Sequence, residues 1–98
     1  MNRVFFENGK HADILDEELD LHIKMQKVYN NIYRMRDEYA EKLKKEMENS
    51  IIDIHDECIK KYQIFSKKLE PHLDVCLKYQ QISLLPDLRV KILKIEKV

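Results

Sequence analysis

The sequence predicts an all-α fold organised around one long, mostly continuous amphipathic helix that resembles one strand of a coiled coil. Three observations lead to this prediction. Residues 21–69 contain neither Gly nor Pro. Apolar residues recur there every three or four positions, which is the period of one helix face. In the whole chain 37% of residues are charged and 44% are hydrophobic, with one Gly and two Pro, a composition typical of long helices.

The apolar stripe defines a seam along which a partner helix is expected to pack. Its first part has the spacing of heptad a and d positions, and a run of four-residue steps after Tyr39 locally unwinds such a coil. One helix cannot bury its own apolar face, so the chain needs a partner. The predicted partner interface consists of Leu21, Met25, Val28, Ile32, Met35, Tyr39, Leu43, Met47, Ile51, Ile54, Cys58, Tyr62, Phe65 and Leu69.

Residues 1–12 are predicted to form an N-terminal arm. Val4–Phe6 is a short apolar segment, and Asn8–Gly9 is a turn signal. Lys10–Ala12 is too poor in β-forming residues to complete a convincing hairpin. The arm is therefore expected either to anchor on a neighbouring helix through its phenylalanines or to be a frayed terminus.

The long helix is expected to span residues 13–70. Asp13 can cap its first free N–H groups, and the acidic run that follows suits the positive end of the helix dipole. The same run could instead dock a basic partner. The helix start explains these residues without a partner and is the favoured interpretation.

The one candidate break within this helix is Asn49–Ser50. Ser50 could cap a second helix, with Asp53 three residues later, and the chain would then be a helical hairpin that supplies its own partner. However, the stripe passes through this point without a missed step, and a tight connection would lack Gly and Pro. The sequence favours a continuous helix.

Pro71 predicts the end of the long helix. The residue before a proline disfavours helical backbone, and proline suits the first turn of a new helix. A short second helix is therefore expected over residues 71–85, because Pro86–Asp87 stops it.

Residues 86–98 form a basic C-terminal tail that can be interpreted in two ways. As a helix, its apolar residues are mixed with its charges. If the tail is a strand, apolar and charged residues alternate along it, and the alternation shifts by one residue at Ile92–Leu93. A β-bulge at that point would account for the shift. The β-branched content favours the extended form. The termini are thus expected to be irregular or extended.

Metal and catalytic chemistry find little support in the sequence. Cys58 and Cys76 occupy apolar positions and are too few for a disulfide scaffold. With His55 and His72 they make two His/Cys pairs of the kind zinc accepts. A chain reversal near Pro71 would nevertheless leave Cys58 about 15 Å from His72.

No phosphate-binding loop or nucleophile elbow is present. We expect no metal, no cofactor and no catalytic residues, and hence no enzyme.

Charge and hydropathy narrow the expected partners. The 18 basic and 18 acidic residues balance, so nothing steers the chain toward nucleic acid or an anionic membrane. The tyrosines at 29, 33 and 39 have basic neighbours and could stack on bases, but their helical spacing favours packing.

No signal peptide or membrane span is evident, which indicates an intracellular protein of the cytoplasm or nucleus.

Two functional hypotheses follow. The first is a non-enzymatic helical subunit or adaptor that forms homo- or hetero-oligomers through the 21–69 seam. The alternative is a self-contained helical hairpin or bundle that acts as a small binding module, with nucleic acid among its candidate ligands.

Overall fold

The computed structural model describes residues 1–98 as a helical hairpin with a small sheet at its open end. The elements are β1 (Asn2–Phe6), β2 (His11–Ile14), α1 (Asp16–Asn49), α2 (His55–Ile82) and β3 (Ile92–Lys97). The particle measures 61 × 23 × 17 Å. The 34-residue helix α1 fits the predicted long helix. The all-α prediction is wrong, because both termini pair into an antiparallel sheet of order β2-β1-β3.

The β1–β2 hairpin forms although Lys10–Ala12 was judged unsuitable for one. Gly9 adopts a φ of +83°, and its N–H donates to the Phe6 carbonyl at 3.1 Å. The Phe6 N–H then donates to the Lys10 carbonyl at 2.9 Å, which closes a three-residue loop with glycine at the left-handed position. The geometry of the turn fixes which residues pair. Packing of Ala12 and Ile14 in the cluster below the sheet outweighs the weak local preference of Lys10–Ala12 for β structure.

The C-terminal tail is extended, and its irregularity lies where the alternation of residues predicts a bulge. Phe5 pairs with Lys94 and Phe6 with Ile92, so that Leu93 is the extra residue. β1 thereby becomes the central strand, paired on both sides.

The chain reverses between α1 and α2, so the expected continuous helix over residues 13–70 is wrong. α1 ends at Asn49 and α2 begins at His55. In the connection, two side-chain oxygens accept hydrogen bonds from backbone N–H groups. The Ile52 N–H donates to Ser50 Oγ at 3.2 Å, and the His55 N–H donates to Asp53 Oδ1 at 3.0 Å. The reversal lets the two halves of the apolar stripe pack on each other within one chain.

Pro71 does not end a helix, and the predicted separate helix over residues 71–85 is wrong. α2 runs through Pro71 to Ile82. A proline removes one backbone hydrogen bond, which is tolerable here because Pro71 is exposed to solvent. Leu69 and Cys76 are buried on either side of it, in the same core as Ile32 of α1. Their packing holds the helix across the missing bond.

Two hydrophobic clusters make up the core. Tyr29, Ile32, Leu69, Cys76 and Leu88 join the helices to the segment before β3. Val4, Phe6 and Ile14 form the inner face of the sheet.

Candidate interaction surface

The seam predicted from the sequence is mostly filled from within the chain. Ile32, Leu43, Cys58 and Leu69 are buried, whereas Leu21, Val28 and Ile51 are exposed. The remaining seam residues are partly buried: Met25, Met35, Tyr39, Met47, Ile54, Tyr62 and Phe65.

Contacts along the hairpin show that one register is kept over its length. The Cys58 Sγ lies 3.9 Å from the Leu43 carbonyl oxygen, near the loop. Towards the sheet, the Cys76 Sγ lies 4.0 Å from the Met25 carbonyl oxygen. Each pair of residue numbers sums to 101. The two halves of the stripe therefore meet each other, and a partner can reach only the side chains that remain outside.

Four of the apolar side chains outside the core form what we call the apolar flank: Leu21, Val28, Val75 and Ile82. They are between 40% and 82% exposed. Leu21 and Val28 are two turns apart on α1, as are Val75 and Ile82 on α2, so each pair shares one helix face. Leu21 and Ile82 line the same groove, which places the two pairs side by side in the antiparallel register. The register of the hairpin therefore places all four side chains on the same side of the two helices.

The flank ends in a groove of about 490 Å³ beside β2, which we call the edge groove. Because β2 is the outer strand, the backbone groups on its far side have no partner strand. Glu18 adds negative charge at the groove, whereas Asp13 is paired with the Arg3 guanidinium at 2.9 Å, which lowers the pKa of that carboxyl. The lining residues are Ala12, Asp13, Ile14, Glu18, Leu21, Tyr79, Ile82, Ser83, Leu84 and Leu85.

Val75 and Ile82 were not among the residues singled out in the sequence. The sequence predicts a helix boundary at Pro71, so the predicted seam ends at Leu69. The seven-residue spacing of Val75 and Ile82 was the signal that could have identified them.

The two cysteines are free, buried and far apart. They are 18 residues apart on α2, or about 27 Å at the rise of a helix, so one ion cannot bind both. Burial raises the pKa of the Cys76 thiol, which disfavours the reactive thiolate. No group of three or more His, Cys, Asp or Glu side chains is arranged to hold a metal ion.

The tyrosines and basic residues considered for base stacking mostly have partners within the chain. Tyr29 is buried with its ring 4.9 Å from that of Tyr33, and burial raises its pKa to about 12. In the tail, Arg89 Nη2 lies 2.8 Å from Asp87 Oδ2, and these bonds lower the pKa of Asp87 to about 2. Neither helix has an apolar stretch long enough to cross a lipid bilayer.

His22 is a buried titratable group beneath the flank. It is 1% exposed, its Nδ1 lies 3.1 Å from the Tyr79 hydroxyl, and its Nε2 has no hydrogen-bond partner. The Phe6 ring packs edge-on at 6.1 Å. Burial lowers the pKa of His22, because the charged imidazolium would lose its hydration.

This burial predicts a pH-dependent free energy of unfolding. The folded pKa lies below the ordinary value of 6.5, so below about pH 6.5 the unfolded chain binds a proton that the folded chain excludes. Stability should fall as pH drops from 6.5 to 5, by at most about 1.4 kcal/mol per pH unit. Asp13 and Asp87, whose pKa values are lowered, titrate below this window.

Urea unfolding between pH 5 and 8 measures this dependence. His22→Leu should remove the slope between pH 5 and 6.5, whereas His72→Leu, at an exposed position, should retain it. An unchanged slope in His22→Leu would contradict the assignment.

Comparisons with models of known protein families, with curated proteins and with solved structures found no match to this chain.

Proposed function

We propose that this protein is a non-enzymatic interaction module, a helical hairpin that binds a partner protein through the apolar flank and the edge groove. The observation that carries the proposal is that the flank stays exposed although the seam is filled. Contiguous apolar strips on soluble proteins are commonly sites of protein binding.

The chemistry around the flank indicates the kind of partner segment it suits. Apolar side chains of the partner would cover Val28 and Val75, while a basic side chain would face Glu18 at the groove, since Arg3 already pairs with Asp13. The preferred partner is therefore a protein segment that is both apolar and basic.

The proposal keeps part of the predicted seam as interface. Leu21 and Val28 would contact the partner directly, whereas buried seam residues such as Ile32 and Leu69 would act by holding the hairpin together. We further propose an intracellular location, since two free cysteines suit a reducing compartment.

Site-specific photo-crosslinking in cells that express the chain tests this function. A photoreactive amino acid at Val28 or at Val75 should crosslink to the same protein, and one at exposed Lys44 should not. Val75→Asp in the chain that carries the probe at Val28 should abolish the crosslink. Its circular dichroism should be unchanged, because Val75 is already half exposed.

The crosslinked peptide of the partner should contain apolar and basic residues. Equal crosslinking from Lys44, persistence in Val75→Asp, or no crosslink from either flank position would each overturn the proposal.

A further inference from the structure

The connection between the helices contains Ile51, one of the two most exposed apolar residues of the chain. Ile51 and Leu84 are fully exposed, and Ile52 is 75% exposed. Ile51 and Ile52 lie in the five-residue segment Ser50–Ile54, at the end of the particle remote from the sheet. Nothing in the chain covers them, although a loop would ordinarily carry polar residues there.

The same segment continues the helical apolar stripe. Met47, Ile51, Ile54 and Cys58 follow each other at steps of four, three and four, and the segment lacks Gly and Pro. If residues 50–54 were helical, these four side chains would share one face. The hairpin breaks this face, since Met47 and Cys58 turn inward while Ile51 remains in solvent.

Only a few local bonds hold the reversed conformation. Ser50 Oγ donates to the Ile52 carbonyl at 2.7 Å, and Asp53 caps the His55 N–H. The Ser50 N–H reaches the Met47 carbonyl at a long 3.4 Å. Within the loop, only the side chains of Ser50 and Asp53 favour the reversal over a helix, whose apolar pattern would run on without interruption.

An antiparallel pair of straightened chains would reproduce the contacts of the hairpin. Residues whose numbers sum to 101 face each other within the hairpin, so a two-fold axis between Ser50 and Ile51 gives the same pairs between two chains. Leu43 would meet Cys58 of the other copy, and β1 would pair with the other copy's β3. Met47 would then meet Ile54 of the second chain, and Ile51 would be covered at the axis.

We propose that a second copy of this chain is the partner that covers Ser50–Ile54, in a domain-swapped dimer that exchanges α2 and β3. Each chain would contain one helix over residues 16–82, about 100 Å long at 1.5 Å per residue. The dimer keeps the helix and strand contacts of the hairpin, gives up the loop bonds of Ser50 and Asp53, and gains burial of Ile51 and Ile54. This proposal does not depend on the apolar flank.

The first test is the mass of the full chain in solution. Light scattering after refolding at high protein concentration should show a dimer that shares the circular dichroism of the monomer. Ser50→Ala with Asp53→Ala removes the bonds of the loop and should raise the dimer association constant about tenfold or more. Ile51→Gly with Ile52→Gly disfavours a helix here and should shift the chain to the monomer.

The second test distinguishes exchange from surface association. Lys61 Nζ lies 3.9 Å from Glu46 Oε2 across the hairpin. Chains with Glu46→Gln and chains with Lys61→Gln, refolded together and treated with a carbodiimide that couples amines to carboxylates, should form a covalent heterodimer joined between Lys61 of one chain and Glu46 of the other. Two populations that both carry Glu46→Gln are the control and should not form this link.

A dimer with the covalent link between Lys61 and Glu46 supports the exchange. A dimer without it, or a monomer at every concentration both in the natural chain and in Ser50→Ala with Asp53→Ala, overturns it.

Discussion

Replacing Phe6 with alanine is expected to lower the free energy of unfolding by about 3–5 kcal/mol. Phe6 is 2% exposed and packs with Val4 and Ile14 under the sheet, while its ring meets His22 edge-on. Removing the ring leaves a cavity that the strands cannot close. For a domain of this size, the loss corresponds to a melting temperature lower by roughly 12–40 °C.

The adjacent Phe5 is the matched control. Successive side chains of a strand point to opposite faces, so Phe5 lies on the outer face, with Lys94 Nζ 5.8 Å from its ring centroid. Phe5→Ala should cost only about 1 kcal/mol. Thermal and urea unfolding followed by circular dichroism measure both variants. Reversed effects would mean that β1 presents its other face, as a one-residue register shift would cause.

Replacing Ile32 with aspartate is expected to unfold the isolated chain. Ile32 is 3% exposed in the apolar cluster with Tyr29, Leu69 and Leu88. The variant loses apolar packing and brings a carboxylate into this cluster, which together should cost about 4 kcal/mol or more. Small domains have a total stability of only about 5–15 kcal/mol.

Lys44→Asp introduces the same residue at an exposed position of α1 and should cost under about 1 kcal/mol. Circular dichroism combined with sedimentation distinguishes two roles for Ile32. If the seam is internal, Ile32→Asp loses helicity as a monomer. A variant that stays folded and helical but no longer associates would contradict the internal packing and favour an external partner at this residue.

Local patterns in the sequence predicted the turn, the long first helix and the bulge, but neither β2 nor the course of α2. Gly9 marked the β1–β2 turn, the apolar period marked α1, and alternation marked the bulge at Leu93. Each of these features depends on residues close in sequence, whose backbone preferences act before any tertiary contact is made.

The candidate surface was predicted only in part. Leu21 and Val28 belonged to the seam inferred from the sequence, and both are exposed. Val75 and Ile82 lie beside them because α2 continues through Pro71, which the sequence did not predict. Which members of a stripe remain outside depends on which helix covers the others, and periodicity alone carries no such information.

The sequence by itself determined that this chain has a long amphipathic helix, an Asn8–Gly9 turn and an extended tail, because these follow from local backbone preference and side-chain period. Tertiary structure alone decided that the helix reverses at Ser50–Ile54 and that the two termini pair. Reversal allows Ile32 to pack near Leu69 and brings β1 beside β3 from the opposite end of the chain. The free energy of burying both halves of the stripe against each other outweighs the local preference for one continuous helix, and only contacts distant in sequence supply it.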